Sequence, residues 1–290
     1  MPDTNNDMKI LAVVVTYHPD LTLLQENISA FADRVGEVLV WDNTPAPDNA
    51  KTEEFLRQHF DNIVIEGWGE NKGMSYALNR GWKYAQEHGY DVVLTMDQDS
   101  RFEDFGAYLS RVQDKWANDG LCICGPVPNR QQDQKNEKTG FIPSIAIITS
   151  GLLIPIELLN EAGGYCEDFF VDAIDFDFCY RIREKGYEAY MDQESNLIQV
   201  FGEPRYKKIL GIKIHGYGYS PKRVYGIFRN HIITWRRYHH PGKLLRHIVK
   251  QYCFNYILKG VLLVEDKKWA KLKAAFKGTV DGFKFKIKSK

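Results

Sequence analysis

The apolar run Met8-Lys-Ile-Leu-Ala-Val-Val-Val-Thr16 is nearly continuous and stops at Tyr17-His-Pro-Asp20. A stretch with that little alternation reads as a strand buried on both faces, and a helix is expected from Leu21 to Ala32. The same grammar repeats. Val35–Trp41 is a second strand ending at Asp42-Asn43-Thr44-Pro45, a helix is expected over Thr52–His59, and Asn62–Glu66 is a third strand. After a loop over Gly67–Gly73, Met74, Ala77, Leu78, Gly81, Trp82 and Ala85 follow i, i+3/i+4 spacing, which predicts an amphipathic helix ended by Gly89. A fourth strand then runs into Asp97-Gln-Asp99-Ser100. Repeated strand–helix alternation over the first hundred residues predicts an α/β fold. Its sheet would be open, mostly parallel and flanked by helices joined by right-handed crossovers.

The middle is less regular. Phe105–Asn118 reads as a helix, Ile123–Val127 as a strand, and Asn129–Thr139 as a polar, mobile loop. Ser144–Ile154 reads as a strand interrupted by a Thr-Ser-Gly turn, and Asp175–Lys185 as a helix ended by Gly186. From about residue 205 the composition changes to basic, aromatic and turn-rich, then amphipathic. Two domains are therefore expected, 1–204 and a mainly helical extension over 205–290.

Charge sharpens that division. The net charge is zero, yet residues 205–290 hold 22 Lys/Arg against 3 Asp/Glu, leaving 16 against 35 elsewhere. An acidic body with a basic tail suggests an anionic surface as partner. The first residues are polar, with no basic start or apolar core, so no secretory signal is expected. No apolar run approaches the ~20 residues needed to span a bilayer. Five cysteines without a disulfide rhythm or metal-ligand spacing point to reduced structural thiols and a cytosolic protein.

Polar groups recur where the strands end. Thr16, Asp42-Asn43 and Asp97/Asp99 share one sheet edge, the layout of a nucleotide site on a parallel sheet. Turn chemistry explains any one of them, but less well all three. Asp97 and Asp99 would point the same way if extended geometry persists through Gln98, giving a hard anionic site suited to Mg²⁺ or Mn²⁺. Asp42 could accept the imide N–H of uracil or thymine. Asn71-Lys72-Gly73 could lie beside that nucleotide, since Gly73 permits close backbone approach, although it is equally a plain loop-to-helix turn. There is no GxGxxG and no GxxxxGK[ST], which disfavours dinucleotide and P-loop proteins. Asp168, Asp172, Asp175 and Asp177 sit among Phe169, Phe170, Ile174, Phe176 and Phe178. Burial there would raise a carboxylate toward a general base's range, while a helix N-terminus alone would account for one or two of the four.

In order, Val14–Tyr17, Trp41–Asn43, Asn71–Gly73 with Ala77–Asn79, Asp97–Ser100, Thr149–Gly151, Gly163–Tyr165 and Phe169–Asp172 resemble the family 2 inverting glycosyltransferases. Asp-Gln-Asp-Ser followed by Phe-Phe-Val-Asp-x-x-Asp looks like their bacterial rhamnosyltransferase branch, as do Arg223-Val-Tyr225 and Arg229-Asn230. The resemblance covers about 9–235 and implies a GT-A fold and a nucleoside-diphosphate sugar donor, dTDP-rhamnose or a UDP-sugar. It implies nucleotide contacts from Thr16, Asp42, Asn43, Asn71 and Gly73, and a divalent cation, Mg²⁺ or Mn²⁺, held with the diphosphate by Asp97 and Asp99. It further implies Asp175 as general base, with Asp172 and Asp177 orienting base or acceptor. Relatives usually carry a His in a His-x-x-Gly pattern after the catalytic helix; here the place reads Gln199-Val-Phe-Gly202. Gln199 could substitute, His215 could serve as metal ligand from the next loop, or metal dependence could differ. A catalytically silent nucleotide-sugar or glycan-binding module is the alternative of a different class.

The tail alternates Lys and Arg with Tyr, Phe, Trp and Leu, and Lys267–Lys290 holds nine lysines against Asp281. It could lie on the inner face of a membrane or be a solvated basic helix packed on the domain. No recognisable nucleic-acid module accompanies the charge, so no nucleic-acid partner is expected. The expectation is transfer to a lipid-linked glycan acceptor in cell-surface polysaccharide assembly, O-antigen or capsule.

Overall fold

The computed structural model describes residues 8–129, 139–199, 205–209 and 211–287. The stretch 130–138, read above as a loop, lies outside them, as do residues 1–7 and 200–202. The chain forms two compact units, one of residues 1–167 with 178–199, the other of 168–177 with 200–290.

In the first unit the alternation is β1 (Ile10–Thr16), α1 (Leu21–Ser29), β2 (Glu37–Asp42), α2 (Ala50–Arg57), β3 (Ile63–Glu66), α3 (Met74–Glu87) and β4 (Val92–Asp97). The order β3-β2-β1-β4 is parallel throughout, with Thr16 opposite Asp42 and Val15 opposite Asp97. Every residue of β1 is buried, as its unbroken apolar run requires of a central strand. Asp20 caps α1 by accepting from Leu23 N at 3.0 Å, which fixes the path out of β1.

Beyond β4 the sheet becomes mixed. β5 (Ser100–Phe102), α4 (Phe105–Asp119), β6 (Ile123–Pro128), β7 (Phe141–Pro143), β8 (Leu152–Pro155), α5 (Ile156–Ala162), α6 (Ile174–Glu184) and β9 (Ala189–Gln199) complete this part of the chain, which crosses between the units within α6. β8 runs antiparallel to β4 and β6, while β9 is parallel to β6 and antiparallel to β5 and β7.

Two expectations are corrected. Extended geometry does not persist through Gln98: the chain turns at Gln98–Asp99 between β4 and β5, so the i, i+2 alternation does not relate the two carboxylates. Only Leu152–Pro155 of the long run Ser144–Ile154 is a strand. The Ser144 and Ile145 carbonyls accept from the Arg183 guanidinium instead of a ladder, and Gly151 takes φ +80° with Pro126 and Phe102 where a Cβ would be.

The second unit holds the hairpin β10 (Arg205–Ile209) and β11 (Ile212–Gly216), then α7 (Pro221–Arg237), α8 (Gly242–His247), a π-type helical segment Ile248–Val261, and α9 (Lys268–Lys284). Its core gathers Val224, Ile227, Phe228, Tyr256, Val261 and Ala275. Ser220 caps α7 with Pro221 in its first turn. Glu265, 1% exposed, is an anchor: it accepts from Tyr217 N at 2.6 Å, Gly218 N at 3.0 Å and Lys271 Nζ at 2.5 Å. No helix among the described residues is long and apolar enough to cross a membrane.

Candidate active site

At the C-terminal ends of β1 and β2, Thr16 and Asp42 are buried side by side. Asp42 Oδ1 accepts from Thr16 Oγ1 at 3.0 Å and from Thr44 N at 2.9 Å. Asp42 Oδ2 is buried with no hydrogen-bond partner among the described residues. An orphaned carboxylate oxygen held this rigidly is an acceptor in want of a donor. Thr16, with its hydroxyl engaged, orients the carboxylate. Asn43 ties in the next loop: its Oδ1 accepts from Lys72 N at 3.2 Å and its Nδ2 donates to Gly73 O at 3.4 Å. Asn71 Oδ1 accepts from Gly73 N at 2.9 Å, closing the turn, and Gly73 takes φ +90°. Thr16, Asp42, Asn43, Asn71 and Gly73 are thus one network.

Asp42 also lines a cavity of about 350 Å³ with Asn49, Glu53, Glu66, Trp68 and Arg80. Trp68 is 60% exposed, and Trp41 Nε1 and Arg80 Nε, both on the cavity lining, are buried without hydrogen-bond partners among the described residues. Sequence reading missed Trp68 and Arg80. The signal was Tyr76 and Arg80, one turn apart on α3 and both packed on the strand-end Trp41 at 5.7 and 5.9 Å.

Half-buried Asp97 and Asp99 flank a pinned Gln98. The Gln98 side chain accepts from Tyr17 N at 2.6 Å, and its carbonyl accepts from Asn27 Nδ2 at 2.8 Å. Asp97 N donates to Ser150 Oγ at 3.1 Å, which places the Thr149–Gly151 motif. Gln199, at the end of β9, donates Nε2 to Asp97 Oδ2 at 2.9 Å, while its Oε1 is buried with no hydrogen-bond partner among the described residues. The carboxylates of Asp97 and Asp99 and the Gln199 amide oxygen are hard oxygen donors, the chemistry that suits Mg²⁺ or Mn²⁺ sharing its shell with water and phosphate, and the Gln199–Asp97 hydrogen bond brings two of the three together. No group of three His, Cys, Asp or Glu that could hold a metal occurs among the described residues. His215 is an exposed β11 residue beside Tyr206, in the second unit.

The acidic cluster of the second unit is strained and pinned. Asp172 and Ala173 take φ +64° and +60°, unusual for residues with a Cβ, immediately before α6. Asn230 Nδ2 holds that turn by donating to the carbonyls of Val171 at 2.8 Å and Asp172 at 3.1 Å. Arg223 donates Nε and Nη2 to Asp172 Oδ1, both at 3.3 Å, and Asp172 Oδ2 is buried without a hydrogen-bond partner among the described residues. Burial raises the Asp172 pKa and Arg223 opposes it. Asp175 keeps some surface exposure, but its carboxyl is deep enough that desolvation, helped by the Asp172 charge, pushes its pKa up to about 6. Asp177 is 1% exposed and pairs with Arg237 at 2.5 Å and Tyr238 Oη at 3.1 Å. Three neighbouring carboxylates therefore differ: one paired with a half-exposed arginine, one sealed in an ion pair, one poised to titrate near neutrality.

A parallel sheet with polar strand ends and a buried acceptor is the layout of a nucleotide-binding α/β protein. The fold agrees with solved structures of that class. Two are GalNAc-T7 with UDP, GalNAc and Mn²⁺ (TM-score 0.62, 12% identity, 97% of this chain and 57% of that one), and S. aureus TarS 1-349 in complex with UDP-GlcNAc (TM-score 0.60, 15% identity, 92% and 79%). This chain thus spans little more than half of the GalNAc-T7 chain. It shares the GT-A fold with both. The profile of Glycosyl transferase family 2 matches residues 12–169, and the chain belongs to that family: it is a glycosyltransferase. A curated relative, the dTDP-rhamnosyl transferase RfbF of Shigella flexneri, is 26% identical over 294 residues, covering 95% of each chain.

Proposed function

We propose that this glycosyltransferase moves rhamnose from dTDP-rhamnose to a glycan acceptor, with inversion at the anomeric carbon. The observation that carries the donor half is Asp42 Oδ2, a buried acceptor positioned by Thr16 and Thr44 N. It suits the imide N–H of thymine. Trp68, exposed on the same cavity, offers the base a stacking face. Asn43, Asn71 and Gly73 would shape the loop beside the nucleotide. The name of the Shigella flexneri relative supports the rhamnosyl assignment.

Asp97 and Asp99, with the Gln199 amide oxygen, would hold a divalent cation; His215 is left outside this donor set. When bound, that cation neutralises charge on the departing diphosphate. In the reading we favour, Asp175 takes the proton of the acceptor hydroxyl as its oxygen bonds to the anomeric carbon. The bond from that carbon to the diphosphate oxygen breaks, releasing dTDP. A carboxyl with a pKa near 6 is ionised at neutral pH yet basic enough to share a proton in the transition state. Asp172 and Asp177 position it, each held by an arginine. The extension 205–290 serves the acceptor side, because Arg223 and Asn230 pin the turn leading into Asp175. The acceptor we favour is a lipid-linked glycan of O-antigen or capsule assembly, met on the cytoplasmic side of the membrane.

A UDP-sugar is the second reading, since uracil presents the same imide edge to Asp42. Calorimetric titration with dTDP, UDP and GDP, each with and without Mn²⁺ or Mg²⁺, separates the readings. Cation-dependent binding of dTDP in preference to UDP is expected. A preference for UDP would keep the mechanism and replace the sugar, and no binding at all would remove the donor site as drawn.

A further inference from the structure

α9 has two unlike faces. Lys271, Ala275, Gly278 and Gly282 are its buried residues, at i, i+4, i+7 and i+11. The two glycines sit so close to α7 that a Cβ on Gly278 would lie 2.4 Å from the Tyr225 carbonyl oxygen, and one on Gly282 2.8 Å from that of Arg229. Tyr225 Oη also donates to Asp281 at 2.9 Å. That side of α9 is fixed.

The opposite side carries Trp269, Phe276 and Phe283, exposed by 85%, 73% and 51%. Seven-residue spacing puts them on one stripe with about 10 Å between successive rings. Single exposed aromatics are ordinary, but three in line on one helix face make a contiguous apolar patch, the kind that marks an interaction surface. Lys273, Lys277 and Lys284 are exposed beside the stripe, and residues 266–287 carry seven lysines against two aspartates. We propose that this face of α9 docks on an anionic lipid surface, the three rings entering the headgroup–acyl boundary and the lysines meeting lipid phosphates. The chemistry favours lipid over a second copy of the chain. A two-fold partner would set lysine against lysine, whereas an anionic bilayer neutralises the lysines and buries the rings together. The same unit exposes Val249, Phe254 and Leu258 on the segment Ile248–Val261, with Lys259 over the Phe254 ring at 4.6 Å, a further apolar surface bordered by lysine.

The test is sedimentation of the full chain, without nucleotide, with vesicles of equimolar phosphatidylcholine and phosphatidylglycerol, against vesicles of phosphatidylcholine alone. Binding is expected to the anionic vesicles only, and to weaken with salt. Trp269→Glu/Phe276→Glu/Phe283→Glu should abolish it, while Lys273→Gln/Lys277→Gln/Lys284→Gln should weaken it about a hundredfold, from roughly 1 kcal/mol per lysine near the surface. All six positions are solvent-exposed, so circular dichroism and dTDP affinity should stay at wild-type values. Brominated acyl chains should quench tryptophan emission in the wild type and lose most of that effect in Trp269→Phe, which keeps the ring stripe. No sedimentation with anionic vesicles, unaltered binding by the triple variants, or a dimer that the glutamate variants dissolve would each overturn the proposal. The donor assignment stands or falls separately, on the nucleotide titration.

Discussion

Gln199 Nε2 donates to Asp97 Oδ2 at 2.9 Å, while Gln199 Oε1 is buried with no hydrogen-bond partner among the described residues. An amide in this position both orients one carboxylate and offers a neutral oxygen beside it. Gln199→Ala should therefore lower the affinity for dTDP measured with Mn²⁺ by about 10–100-fold, the usual range for losing a group that supports a metal site. Affinity without the cation should change far less. Calorimetry reads both. Equal losses with and without Mn²⁺ would show that Gln199 acts on the fold of the strand end and not on the cation.

The two oxygens of Asp42 make opposite demands. Oδ1 already has two donors, and Oδ2 has none among the described residues. Asp42→Asn can keep the first arrangement but presents an NH₂ to the nucleobase where a carboxylate oxygen was. A thymine imide N–H then meets another donor, and dTDP affinity should fall by about 10–100-fold, as expected for a lost hydrogen bond to a charged group. Cytosine has an acceptor at that ring position, so CDP binding should improve relative to wild type. Unchanged selectivity in the variant would mean that Asp42 does not face the base.

Asp175 has its pKa pushed up to about 6 by burial and by the Asp172 charge. A general base works ionised, so kcat/KM should rise with pH through about 6 and level off above it. Asp175→Asn should remove that limb and lower turnover by about 10²–10⁴-fold. Nucleotide affinity should be nearly preserved, since the proposed role of this carboxylate is toward the acceptor hydroxyl and not the nucleotide. Wild-type transfer rates in the asparagine variant would reassign the base.

Much of the first unit was legible because its strands are buried on both faces. An uninterrupted run such as Ile10–Thr16 has few alternatives, and the polar residues that end such runs fell where sheet logic places them. β9 left no comparable trace. Ala-Tyr-Met-Asp-Gln-Glu-Ser-Asn-Leu-Ile-Gln is mostly polar, its register against β6 shifts at Pro126/Val127, and partners distant in sequence hold it in place. Gln199 could be picked out from sequence only as a departure from a family pattern, and its bond to Asp97 depends on that strand. Trp68 and Arg80 were hidden for a related reason. A loop tryptophan and a helical arginine are ordinary surface residues until the fold sets them around one cavity. The aspartates of 172–177 were visible as a cluster, but their different fates follow from Arg223, Asn230 and Arg237, fifty or more residues away.

His231 leads to a prediction about stability. It is 1% exposed, its Nδ1 lies 2.8 Å from the Ile227 carbonyl oxygen, and its Nε2 is buried without a hydrogen-bond partner among the described residues. The rings of Phe176, Tyr252 and His247 surround it at 5.2, 4.5 and 6.3 Å. With Nδ1 donating to the carbonyl, an added proton would go on Nε2, where nothing can accept from it. Desolvation therefore pushes the pKa down to about 3, with the neighbouring His247 adding to the effect. An unfolded histidine titrates near 6.5, so between about 3 and 6.5 the unfolded chain binds the extra proton. Stability must then rise with pH across that window and be lost on acidification. From pH 6.5 to pH 5 this residue alone should cost about 2 kcal/mol. Phenylalanine fills a similar volume without the orphaned nitrogen, so His231→Phe should flatten this part of the curve and raise the melting temperature most at pH 5. Thermal melts of both proteins at pH 7.5 and pH 5 provide the comparison. If the two lose stability in parallel on acidification, the acid sensitivity of this unit lies in other groups, and the buried ring is not its source.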